Sequence, residues 1–84
     1  MDELDEKKVL WHSRRGMLEL DLLLIPFASG RFASLSAERK QLYMELLRCE
    51  DQDIFAWLLQ REKPVDARLE EIIGLILETS ASSN

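Results

Sequence analysis

One cysteine, one histidine, two prolines and three glycines among 84 residues leave little room for several kinds of chemistry. Cys49 has no second cysteine to pair with, which excludes an intramolecular disulfide and fits a reducing compartment. His12 has neither a second imidazole nor a nearby thiol, so the donor set of a zinc site is missing and a surface or partly packed histidine is the plainer reading. No glycine-rich phosphate cradle occurs. The longest apolar run, Leu22 to Phe27, is interrupted by Pro26 and falls far short of the roughly 20 residues that cross a bilayer. The chain opens with Asp2, Glu3, Asp5 and Glu6 rather than a basic start and an apolar stretch, so nothing predicts export. The expectation is a cytoplasmic protein with no direct membrane insertion.

Basic residues are also in deficit. Eleven Lys and Arg against sixteen Asp and Glu give a net charge of −5, and the bases are spread along the chain, so a nucleic-acid partner is not expected. What is present is 46% hydrophobic and 32% charged residue content with few breakers, the composition of a compact helical protein. At this length the chain has material for one core, and residues 1–84 are read as a single domain.

The apolar spacing predicts an all-α fold, a bundle of about five short helices with no strand pattern. A first helix over Leu4 to Arg14 would bury the face of Leu4, Lys8 and Trp11, with acids at its start and bases at its end. Gly16 would close it in the left-handed conformation. From Met17 to about Phe27, positions 17, 20, 24 and 27 form one apolar stripe and 18, 22 and 25 a second, predicting a helix buried on most sides and bent or ended by Pro26. Ala28 to Arg31 then read as a connector. Ser36 caps a third helix with Leu42, Tyr43, Leu46 and Leu47 inward. Glu50, Asp51 and Asp53 mark the start of a fourth, whose buried side is Ile54, Trp57 and Leu58 and whose end is set by Lys63 and Pro64. Asp66 caps a fifth, with Val65, Leu69, Ile72, Ile73, Ile76 and Leu77 repeating at three and four residues. The polar tail from Thr79 is expected to fray.

The densest grouping of functional groups is Arg14, Arg15, Gly16, Met17, Leu18, Glu19, Leu20, Asp21, which sets two guanidinium groups and two carboxylates around one tight turn. Two readings stand side by side. In the structural one, Glu19 reaches back to a free amide at the start of the second helix and Arg15 bridges to it across the turn. In the functional one, Gly16 lets a partner's backbone approach closely, while Arg15 presents a planar fork flanked by Trp11, His12 and Met17. Other groupings carry less. The Glu50, Asp51, Asp53 cluster lacks the glycine and the distant glutamate of a calcium loop. Ser13 and His12 are adjacent in a helix and so point about 100° apart, the wrong geometry for a nucleophile and its base. Tyr43, Phe55 and Trp57 read as core rather than as a cofactor pocket. No catalytic group is identified.

The run Trp11, His12, Ser13, Arg14, Arg15, Gly16, Met17, Leu18, Glu19, Leu20, Asp21 resembles the signature of the SdhE family of FAD assembly factors. That family's RGxxE motif matches Arg15, Gly16 and Glu19, and its following aspartate matches Asp21. Asp51, Asp53, Trp57, Leu58, Pro64, Asp66 and the last apolar helix also fit, so the resemblance covers Glu6 to Leu77. It implies a five-helix, non-enzymatic protein that binds the flavoprotein subunit of succinate dehydrogenase, and in bacteria fumarate reductase, and promotes covalent attachment of FAD there. No cofactor would be bound stably by the chain itself. It further implies a bacterial cytoplasmic monomer whose partner-binding residues are Arg15, Gly16, Glu19 and Asp21, with Arg14, Met17 and Trp11 beside them. Two alternatives accompany it: an antitoxin-type protein that antagonises a membrane toxin, which the resemblance also allows, and a small flavin-binding enzyme, which the missing phosphate cradle disfavours.

Overall fold

The computed structural model describes residues 6–82, with side-chain surroundings for residues 8–81. Leu4 and Asp5 of the expected first helix, and the last two residues of the tail, lie outside the described residues. Five α-helices follow one another: α1 Glu6–Ser13, α2 Leu18–Gly30, α3 Ala37–Leu47, α4 Asp51–Leu58 and α5 Arg68–Ser82, with one 3-10 turn at Phe32–Ser34 between α2 and α3. Among the described residues there is no strand, and the all-α expectation holds.

The core forms where the helical stripes converge. Leu20, Leu24 and Phe27 of α2 are fully buried, as expected for one face of a helix at three- and four-residue spacing. α2 packs against α1, α4 and α5, and α5 also packs against α3. Leu69, Ile72, Ile73 and Ile76 supply the α5 face, and Leu42, Tyr43, Leu46 and Leu47 the α3 face. Tyr43 sits between Phe27 and Phe32, with ring centroids 5.1 and 5.7 Å away in tilted arrangements that aromatic quadrupoles favour. Ser36 caps α3 as expected, its hydroxyl accepting a hydrogen bond from the Arg39 amide at 3.2 Å. Asp66 holds the start of α5 in the same way, accepting from the Arg68 amide at 3.0 Å.

Several expectations are corrected, each for a physical reason. Among the described side chains of α1, Val9 and Ser13 are the buried ones, whereas Lys8 is exposed and Trp11 is 73% exposed. A buried serine is tolerable there because its hydroxyl donates to the Val9 carbonyl at 2.8 Å and shares a 2.6 Å hydrogen bond with the Tyr43 hydroxyl. Leu18 and Leu22 of the second α2 stripe are 68% and 65% exposed, so α2 is not buried on most sides. Pro26 does not end α2, which runs on through Ala28 and Ser29 to Gly30. Leu22, whose carbonyl loses its helical donor at Pro26, and the proline itself lie on the exposed side of α2, while Phe27 and Ala28 continue the buried face.

α4 ends at Leu58, well before Lys63 and Pro64. The Gln60 amide donates to the Trp57 carbonyl and the Arg61 amide to the Ala56 carbonyl, and Gln60 takes φ +62°. These two bonds make a Schellman closure with glutamine in the left-handed position that glycine usually fills. Val65 lies outside α5 and is fully exposed. α5 extends to Ser82, and the Thr79 hydroxyl donates to the Leu75 carbonyl at 2.9 Å and accepts from Arg31 at 3.1 Å, which ties α5 to the end of α2.

Candidate docking site

The turn between α1 and α2 is built as the glycine requires. Gly16 has φ +81°, and a Cβ placed on it would meet nothing within 4 Å. Its conformation, and not crowding, is therefore what calls for glycine. Met17, with extended backbone, precedes α2 and is half-buried against the core.

The carboxylate that reaches back is Asp21, not Glu19. Its Oδ1 accepts from the Arg15 amide at 2.8 Å, closing the turn from inside the first turn of α2. Glu19 is exposed, and its carboxylate has no hydrogen bond or ion pair among the described residues. Arg15 likewise does not bridge to Glu19. Its Nε donates to Asp51 Oδ1 at 2.8 Å, Nη1 to the His12 carbonyl at 3.0 Å and Nη2 to the Cys49 carbonyl at 3.1 Å. The side chain is only 16% exposed. All three nitrogens of the fork thus point into the protein, where they fasten the end of α1 to the loop between α3 and α4.

The remaining residues at the turn divide by exposure. Arg14, Glu19 and His12 face solvent, as do Trp11 and Leu18. An open hollow is lined by Trp11, Arg14, Arg15 and Gly16, and a second, on the other flank of Arg15, by Met17, Glu50, Asp51 and Gln52. Leu18 and Leu22 lie one helical turn apart on α2 and make an exposed apolar pair. The sequence reading placed them in the core; the available signal was that two neighbouring stripes on one helix cannot both find partners in so small a bundle. The role of Asp51 as the counter-ion of Arg15 carried no sequence signal, since the two lie 36 positions apart.

Nucleophilic or metal chemistry finds little support here. Burial, and secondarily the nearby Asp53 carboxylate, push the Cys49 thiol up, so it stays protonated at neutral pH. Ser13 is engaged by Val9 and Tyr43, with His12 pointing elsewhere into solvent. Among the described residues, no three or more His, Cys, Asp or Glu side chains are grouped to hold a metal ion. What the arrangement offers is a mixed polar and apolar surface around a bare backbone turn that Arg15 and Asp21 fasten from within.

Residues 7–80 match the family described as flavinator of succinate dehydrogenase. This chain belongs to that family. It is 49% identical over 77 residues to the FAD assembly factor SdhE of Pseudomonas aeruginosa, covering 92% of both chains. It is 44% identical over 78 residues to proteins of the same name from Pseudomonas savastanoi pv. phaseolicola and Pseudomonas syringae pv. syringae, covering 93% of each chain. Of the other residues that resemble the flavinator family, Leu58 and Pro64 are buried, Trp57 is half-buried, Asp53 is exposed at the start of α4, and Asp66 caps α5. Leu58, Pro64 and Asp66 thus serve the fold, whereas Arg14 to Asp21 form the turn and the start of α2. No helix among the described residues is long and apolar enough to cross a membrane.

Proposed function

We propose that this protein binds the flavoprotein subunit of succinate dehydrogenase, and of fumarate reductase where present, and promotes covalent attachment of FAD to that subunit. Membership of the flavinator family over residues 7–80 is the observation that carries the reading. The α1–α2 turn supports a docking role: Gly16 offers bare backbone, while Trp11, Arg14 and Glu19 stand around it in solvent, with Met17 beside them and Arg15 and Asp21 holding the turn from within. The bond to flavin would form within the flavoprotein, and the chain would contribute orientation, holding the client in the arrangement that brings its own side chain to the isoalloxazine. On this reading it acts as a monomer in the bacterial cytoplasm, binds no cofactor stably and supplies no catalytic group.

The test is covalent flavin on the flavoprotein subunit, read by in-gel fluorescence in cells lacking the gene and complemented with wild type or Glu19→Ala. Since the Glu19 carboxylate has no partner among the described residues, the variant is expected to fold with wild-type stability, within about 0.5 kcal/mol. Restoration by wild type but not by the folded variant is expected. Normal flavinylation without the gene would exclude this client.

A further inference from the structure

Arg15 is the most heavily engaged side chain of the turn, and what it engages is the protein itself. Three of its N–H groups are directed at Asp51, the His12 carbonyl and the Cys49 carbonyl, and its backbone amide at Asp21. The two carbonyls belong to different segments, one near the end of α1 and the other in the loop before α4, and this guanidinium bonds both. Asp51 is the only charged acceptor of the three and the first residue of α4, a helix anchored in the core by Ile54 and Leu58. Its carboxylate lies at a helix N-terminus, where the dipole steadies it, and a charge-assisted bond of 2.8 Å fixes the direction of Nε. With Nε held by Asp51, the planar fork keeps Nη1 and Nη2 on the His12 and Cys49 carbonyls, and the Arg15 backbone that precedes Gly16 is held with them.

We infer that Asp51 is a positioning residue for docking: through Arg15 it locks the Gly16 turn in the orientation a partner meets. The inference rests on the docking reading above and adds to it a residue on a different helix. Arg15 then acts from inside rather than by offering its fork to the partner. Asp51 is 38% exposed in its side chain, so direct contact with the partner is the competing explanation, and the two differ in their energetics. A residue that works only through Arg15 contributes nothing once Arg15 is gone, whereas one that touches the partner goes on contributing.

The experiment measures binding of the purified flavoprotein subunit to wild type, Glu19→Ala, Arg15→Ala, Asp51→Ala, Asp51→Asn and the Arg15→Ala/Asp51→Ala double variant. Amide hydrogen exchange is followed on each free protein, and the thermal melt shows that each is folded. The clamp predicts that Asp51→Ala weakens binding at least tenfold and speeds exchange of the Arg15 amide while the core amides keep their protection. It also predicts that Asp51→Asn, which keeps an acceptor oxygen, recovers part of both, and that the double variant binds no worse than Arg15→Ala alone. Additive losses in the double variant overturn the inference in favour of direct contact. Wild-type binding by Asp51→Ala, with Glu19→Ala impaired, overturns it while leaving the docking reading in place. If wild type itself fails to bind, both fall.

Discussion

Replacing Gly16 separates what the turn needs from what a partner needs. At φ +81° an L-residue meets its own backbone, a cost of about 1–2 kcal/mol for alanine, while asparagine visits that region more readily. No further penalty is expected from crowding, because a Cβ would find open space. The destabilisation of Gly16→Ala is therefore almost wholly conformational. In a domain of this size each kcal/mol lowers the melting temperature by about 4–8 °C, so Gly16→Ala should melt clearly below wild type, with Gly16→Asn between them. Far-UV circular dichroism melts, checked against urea denaturation, give the comparison. If alanine melts with wild type, or asparagine falls as far as alanine, the left-handed turn is not the constraint described above. Covalent flavinylation measured with the same variants then reads the partner. A folded Gly16→Asn that still fails to support flavinylation would mean that the client approaches the glycine backbone itself, since the turn survives but its bare surface does not.

Two further predictions concern the core and a cap. Burial pushes Tyr43 up to about 12, above its ordinary value near 10. A raised folded value means that the stability contributed by neutral Tyr43 is complete below pH 10 and is lost as pH climbs towards 12, by up to about 1.4 kcal/mol for each unit. Tyr43→Phe should thus cost about 1 kcal/mol at pH 7, where Ser13 loses a partner, and that deficit should vanish near pH 11 in urea titrations; a deficit that stays constant with pH refutes the buried-phenol account. Ser36→Ala should cost about 1 kcal/mol in the same assay and Ser36→Asp almost nothing, because either oxygen can accept from the Arg39 amide.

Which parts of this molecule could be read from residues alone follows from how far apart the interacting groups lie. The stripes Leu20, Leu24, Phe27 and Leu69, Ile72, Ile73, Ile76 are periodic, and periodicity is local, so their helices and buried faces were legible. Gly16 and Ser36 were legible too, because the need for positive φ or for a capping oxygen is met within three residues. Gln60 was not, since a left-handed glutamine leaves no mark in composition, and α4 was consequently extended towards Pro64. At Pro26 the error ran the other way: residues 28–31 read as a connector, whereas α2 continues through Gly30 because Phe27 and Ala28 carry on its buried face, a tertiary property. In α1, hydrophobicity favoured burying Trp11, whereas a hydroxyl partner thirty positions away made Ser13 the buried residue.

At the candidate site the same distinction sorts the motif residues into two groups. Arg15 was open to an internal bridge as well as to a partner, and Asp21 was placed at the docking surface only by the family resemblance; in the structure both turn inward and bind the chain that carries them. Glu19, spaced as a helix cap, is the carboxylate left in solvent. A short motif can thus contain residues kept for opposite reasons, some to hold a backbone turn still and others to stand out from it. Rigidity and exposure support one another in docking, because a turn already ordered by Asp21, Arg15 and Asp51 loses little entropy when covered, and more of the energy of each new contact remains as affinity. The inward residues would then be as costly to replace as the outward ones while touching nothing of the partner. A scan that scores only lost binding would count both as interface, and it takes the coupling between Arg15 and Asp51, with amide exchange in the free protein, to tell them apart.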